Sequence, residues 1–171
     1  SNPYRDAWNV EPRLAYYFNE TFGLEVFYTH ILNKANSTVE ALSQATATTL
    51  PVVREIRSQG GGLLHWAPWY AKINVFNQIL YFDWYFTAGG GMVGWAPGST
   101  GTAGGTASAV DTVVNRGALF AGTGQQFHLS EQWSVRLDFM GAFYSAPIKG
   151  TSGETAWYSN YNFGLGLGFR I

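Results

Sequence analysis

The chain has 171 residues, enough for one domain (1–171), with 12% charged, 46% hydrophobic and 17% aromatic residues, whereas soluble domains are roughly a quarter charged. Its net charge of −1 leaves no basic footprint for nucleic acid, and the lack of cysteine excludes disulfides and thiolate metal sites while leaving the redox compartment open. Mean hydropathy is −0.06, and the richest apolar stretch, 79–95, is broken by Asp83 and by glycines, so no run approaches the roughly 18 to 20 residues of a membrane helix.

Residues 7–19 read as a first strand, with Trp8, Val10, Pro12, Leu14, Tyr16 and Phe18 on one face and Asn9, Glu11, Arg13, Ala15 and Tyr17 on the other. A short polar turn at 19–21 leads into a second strand over 22–32. There Phe22, Leu24, Val26, Tyr28 and Leu32 face away from Gly23, Glu25, Phe27 and Thr29, and His30 falls on the apolar face. The pattern breaks over 33–59. Ser37 and Glu40 have capping-box spacing and predict a short helix or ordered external loop. After Pro51, the mix of Val52, Val53 and Ile56 with Arg54, Glu55 and Arg57 predicts a second amphipathic turn, expected as part of a loop over the rim.

A third strand is expected over 63–76, with Trp69, Ala71, Ile73 and Val75 opposite Tyr70, Lys72 and Asn74; Pro68 inside it implies a bulge or irregular edge. After a tight turn at 76–78, a fourth strand over 79–91 sets Leu80, Phe82, Trp84 and Phe86 against Tyr81, Asp83, Tyr85 and Thr87. Residues 95–115 are rich in Gly, Ser, Thr and Ala without periodicity and read as a long loop. A fifth strand over 116–128 is blurred by Gly117, Gly122 and Gly124. A turn at 129–132 precedes a sixth strand, in which Trp133, Val135, Leu137, Phe139 and Phe143 oppose Ser134, Arg136, Asp138 and Tyr144. A polar loop over 146–155 leads to the last strand, 157–171. Here Tyr161, Phe163, Leu165, Leu167, Phe169 and Ile171 alternate with Asn160, Asn162, Gly164, Gly166, Gly168 and Arg170.

One wholly apolar face against one small, polar or charged face, in a chain this poor in charge, predicts an all-β, antiparallel up-and-down transmembrane β-barrel with its apolar rows outward. The outward aromatics Trp8, Phe18, Tyr28, Trp69, Trp84, Phe86, Trp133, Trp157, Phe163 and Phe169 are expected to meet lipid, the tryptophans as interfacial belts. Long and short connections alternate, which places the long ones outside and the C-terminus on the periplasmic side of a bacterial outer membrane. Seven strands are visible, and an even count requires another, expected before Ser1; the lack of an initiator Met or signal peptide agrees with a trimmed chain.

On this register the lumen holds Glu11, Glu25, Asp83 and Asp138 with Arg13, Lys72, Arg136 and Arg170. Four acids and four bases in an eight-stranded barrel, whose interior side chains just fill, predict a neutralising salt-bridge network instead of an open pore. His30 and His65 fall on the apolar face near strand ends, unless the bulge at Pro68 turns His65 inward. With His128 they show no ligand spacing, so no metal or cofactor is expected. Gly89, Gly91 and Gly94 formally match G-x-G-x-x-G, but Trp95, Ala96 and Pro97 follow in place of a helix, so the glycines are read as allowing curvature and making room for Tyr85 or Tyr81. No G-x-S-x-G occurs, and no catalytic residue is expected.

The segment APWYAKINVFNQILYFDWYFTAGGG, with Pro68, Tyr70, Lys72, Asn74, Asp83, Tyr85, Gly89 and Gly91, resembles a family of small outer-membrane β-barrel proteins of predatory and gliding bacteria. The NETFGLEV hairpin belongs to the same pattern, and a looser match covers most of the chain. The resemblance implies an eight-stranded porin-like or outer-membrane-protein-A-like barrel, a largely uncharacterised envelope component with no catalytic residues to carry over; some similar proteins assemble into rings. The chain departs from the family in lacking its first strand. The function expected is a non-enzymatic, porin-like or structural barrel with membrane lipid as its partner, and a homo-oligomeric ring around lipid is a further expectation. The alternatives are a small-solute or ion channel and a soluble lipocalin-like binding barrel.

Overall fold

The computed structural model describes residues 5–35, 54–75, 78–97, 113–147 and 155–170. They form one antiparallel up-and-down sheet of eight strands: β1 (Arg5–Val10), β2 (Arg13–Tyr17), β3 (Phe22–Ala35), β4 (Arg54–Val75), β5 (Gln78–Pro97), β6 (Val114–His128), β7 (Trp133–Pro147) and β8 (Thr155–Phe169). No helix occurs among the described residues, and the helix expected near 37–42 lies outside them.

β1 and β2 are one strand interrupted. Both pair with β3 in a single register, Val10 opposite His30 and Arg13 opposite Phe27. Pro12 has no N–H to give the ladder, although its carbonyl still accepts from the Tyr28 amide at 3.2 Å. The expected turns at 19–21 and 129–132 form, and the tight turn expected at 76–78 falls largely outside the described residues. The Asn19 side chain accepts from the amides of Thr21 and Phe22 at 2.9 and 2.7 Å, an Asx turn. Ser130 Oγ does the same for Gln132 and Trp133 at 3.4 and 3.1 Å.

Three expected boundaries are corrected. Residues 54–62, read as an amphipathic turn and loop, begin β4, while β5 continues to Pro97 and β6 starts at Val114, inside the expected 95–115 loop. Alternation was invisible there because Gly60, Gly61, Gly62, Gly89, Gly90 and Gly91 show no side-chain pattern, yet their backbones pair in register, Gly61 against Gly91 and Gly62 against Gly90. A Cβ at Gly61, Gly89 or Gly91 would fall inside 3.0 Å of backbone atoms on the facing strand. β4 and β5 therefore bend towards each other at this corner as only glycine permits.

The sheet curls on itself. In a flat sheet, β3 and β7 would stand four spacings of about 4.8 Å apart, about 19 Å. Instead Glu25 of β3 bonds Arg136 of β7 at 3.0 Å, and the Phe27 and Phe120 rings, on β3 and β6, meet edge to face at 5.0 Å. Inside this barrel-like curve, Phe27, Leu63, Val93, Phe120, Met140 and Tyr144 form the buried core. The outward rows are exposed along the sheet, as at Leu24, Tyr28, Leu64, Trp84, Leu119 and Phe139. Pro68 marks the register shift between Trp66 and Trp69.

Candidate functional site: the interior charge cluster

The inward row places Glu11, Arg13, Glu25, Arg136 and Asp138 together beneath the apolar core. Arg13, at the start of β2, reaches three carboxylates. Its guanidinium contacts Glu11, Glu25 Oε2 at 3.3 Å, and Asp138 Oδ1 at 3.1 Å. Arg136, buried on β7, donates through Nη1 to Glu25 Oε1 at 3.0 Å and through Nη2 to Glu25 Oε2 and Asp138 Oδ1, both at 3.3 Å. Glu25 is thus held by two guanidiniums from opposite walls. A bidentate fork of this kind is the geometry by which arginine best satisfies a carboxylate removed from water.

His65 completes the Glu25 shell. It is buried, with Nδ1 2.7 Å from Glu25 Oε1, so the inward alternative tied to the Pro68 bulge is the one the fold adopts. The irregularity between Trp66 and Trp69 resets which residues of β4 face inward, and before it His65 shares the inward row with Leu63. Tyr85 is the member that charge counting missed. Its ring stacks on His65 at 4.5 Å and lies 4.7 Å beneath the Arg136 guanidinium, a cation–π arrangement. Its hydroxyl donates to Asp138 and accepts from Arg136 Nε at 3.2 Å. Gly124 makes the room, because a Cβ there would collide with the Tyr85 hydroxyl. The inward alternation of Asp83, Tyr85 and Thr87 was a readable signal for this role. Thr29 extends the cluster by donating to Glu11, and Gln59 donates to Thr29 at 3.4 Å.

The other expected lumen charges lie apart. Asp83 bonds His128 Nε2 at 2.8 Å, separately from the cluster. Lys72 and Arg170 are exposed, a correction to their expected place inside. The reason is position along the strands: β3 ends its pairing with β4 at Trp66, so the stretch carrying Lys72 runs on with no β3 beside it, and Arg170 follows the last residue of β8. Of the expected outward aromatics, Trp8, Phe18, Tyr28, Trp69, Trp84, Trp133, Trp157, Phe163 and Phe169 are exposed. Phe86 is half-buried between Trp66 and Trp69, at 6.0 and 5.7 Å. His30 is exposed on the outward row.

Chemically the cluster can hold the walls together. It contains no serine or cysteine nucleophile, and its histidine is committed to a carboxylate that two arginines already occupy. Replacing Tyr85 with phenylalanine should cost about 1–3 kcal/mol, because Arg136 Nε and Asp138 each lose a buried partner while the ring contacts remain. Urea unfolding measures it, and an unchanged midpoint would show that the hydroxyl bridge contributes nothing. No protein-family model, curated protein or solved structure matches the chain.

Proposed function

We propose that the protein is an integral outer-membrane β-barrel with a non-enzymatic, structural or porin-like role in the envelope, its long connections outside and its C-terminus in the periplasm. One observation carries this reading: apolar and aromatic side chains stay exposed along the outward rows while the charged residues of the cluster turn inward. Monomeric soluble proteins rarely expose apolar surface so continuously, and the inverse arrangement is the one a bilayer requires of strands. It also weighs against a soluble lipocalin-like carrier, whose ligand would need the space the ion pairs fill.

The filled interior supports a plug over a channel. Purified protein in planar bilayers should give currents at the baseline of protein-free membranes, and in cell fractions it should resist salt and alkaline carbonate and leave the membrane only with detergent. Release by salt alone would sink the membrane assignment. Steady single-channel currents reduced by Asp83→Asn would instead favour the small-solute channel. Because the interior is filled, a porin-like passage would have to lie between copies, as in a homo-oligomeric ring whose apolar walls hold lipid. Native mass spectrometry of the detergent-extracted protein giving only monomers would remove that ring.

A further inference from the structure

The β4–β5 hairpin runs on past the strand beside it. β3 pairs with β4 as far as Phe22–Trp66, and just beyond, the Ala67 amide donates to the Thr21 carbonyl at 2.7 Å. The β4–β5 ladder then continues from Trp69–Trp84 to Val75–Gln78, and among the described residues no strand lies on the other side of 69–75. In an antiparallel ladder every second residue turns its amide and carbonyl away from the partner strand, so this edge offers about three such pairs. Natural edges are commonly blocked by charge, proline or a bulge. Here Pro68 and the register shift stop short of Trp69, and Lys72 is the one charge in the stretch. Its two faces differ in chemistry. Trp69 and Ile73, 57% and 39% exposed, continue the outward apolar row with Phe82 and Leu80. Tyr70 and the exposed Lys72 face the other way, the Tyr70 ring stacked on Tyr81 at 5.8 Å. A two-stranded ribbon standing alone in water is marginally stable, so a third strand here would gain both a ladder and a covered face.

We propose that this edge receives, by strand addition, an extended acidic segment of a second protein in the periplasm. The proposal rests on the membrane reading for the compartment alone, since that reading puts the short turns on the periplasmic side. The chain's own connections 36–53, 98–112 and 148–154 join strands at the opposite end of the sheet. The longest of them spans at most about 30 Å out and back, whereas Trp69 lies about 50 Å along β4 from Arg54. A second copy is a poor match. Inserted the same way round, it would bring its β4 edge parallel to this one about a two-fold axis along the membrane normal, donor facing donor and Lys72 facing Lys72. Its β8 carries no acidic residue, and the acids on or between β1 and β2 are Asp6, at the far end opposite Lys34, and Glu11, already held by Arg13. The fitting segment comes from elsewhere, with a carboxylate beside Lys72 and apolar side chains beside Trp69 and Ile73. Cross-strand pairs of these kinds are what fix a register.

Hydrogen exchange of the purified protein in lipid nanodiscs tests this with a short synthetic peptide alternating valine and threonine about a central aspartate. The 69–75 amides should exchange rapidly on their own and at least about tenfold more slowly with the peptide at saturation, while β6 and β7 stay unchanged. The same peptide methylated on alternate amides should give no protection. A lysine-centred peptide should bind at least about threefold more weakly, and Lys72→Asp should reverse that order. No protection by the aspartate peptide, equal protection by the methylated one, or indifference to the central charge would overturn the proposal. Slow exchange of 69–75 without any peptide would overturn it as well, assigning the edge to a second copy if each particle holds two chains and to the protein's own polypeptide if it holds one. A protein released from cell membranes by salt, whose 69–75 amides the aspartate peptide still protects, would defeat the membrane reading and leave acidic strand addition standing.

Discussion

Gly91→Ala should largely prevent folding, whereas Gly164→Ala should leave stability within about 1 kcal/mol of the parent. Both are glycines on inward rows of strands, but their surroundings differ. A Cβ at Gly91 would overlap the Gly60 carbonyl and the Gly61 Cα of the paired strand, and backbone in mid-ladder cannot step aside without breaking hydrogen bonds on both sides. Overpacking of a yielding core costs about 1–3 kcal/mol, so at an unyielding site about 3 kcal/mol is a lower bound. At Gly164 the nearest atom is the Asp138 Cβ at 3.8 Å, ordinary contact. The loss of chain entropy on replacing glycine can even favour the folded state there. Heat-modifiable gel migration after refolding into lipid reports the folded fraction. Equal effects at the two positions would mean that the β4–β5 corner is looser than its backbone pairing implies.

The same two glycines mark how far the sequence could be read. Where side chains alternate, as along β8 or β3, both faces were legible from period two alone, and so were Glu25 and Phe27 inside with Leu24 and Val26 outside. Runs of glycine erase that signal. The β4–β5 corner therefore read as a loop and the end of a strand, although its backbone pairs without interruption through Gly60 to Gly62. The charge cluster was legible in membership for Glu11, Arg13, Glu25, Arg136 and Asp138, because each lies on a regular inward row. It failed for Lys72 and Arg170, since periodicity gives a residue's face but not whether another strand continues alongside at that height. Tyr85 and His65 were missed as ligands for another reason. Burial of a neutral ring or hydroxyl within an ion-pair network depends on the space left opposite, here by Gly124, and on the register shift at Pro68.

Arg136→Met should destabilise the protein by about 3–5 kcal/mol, the range for stranding a buried charge by removing its partner. The variant leaves Glu25 and Asp138 to share Arg13, whose guanidinium already contacts Glu11. Glu25→Gln should cost less, because Arg136 keeps Asp138 and Tyr85 and the amide oxygen can still accept from one guanidinium. The double variant discriminates between two views of the cluster. If Glu25 and Arg136 act mainly by neutralising one another across the interior, removing both should be milder than the sum of the single changes by about 1–3 kcal/mol, the usual coupling for residues in one network. If the whole set of charges is held as a unit by Arg13, the costs should simply add, because each change independently leaves a remaining carboxylate or guanidinium unsatisfied. Urea unfolding of the four proteins in vesicles of one lipid composition measures the cycle. The bidentate geometry, with Arg136 aligned on both oxygens of Glu25, favours coupling. A coupling energy near zero would relocate the centre of the plug from the Glu25–Arg136 fork to Arg13.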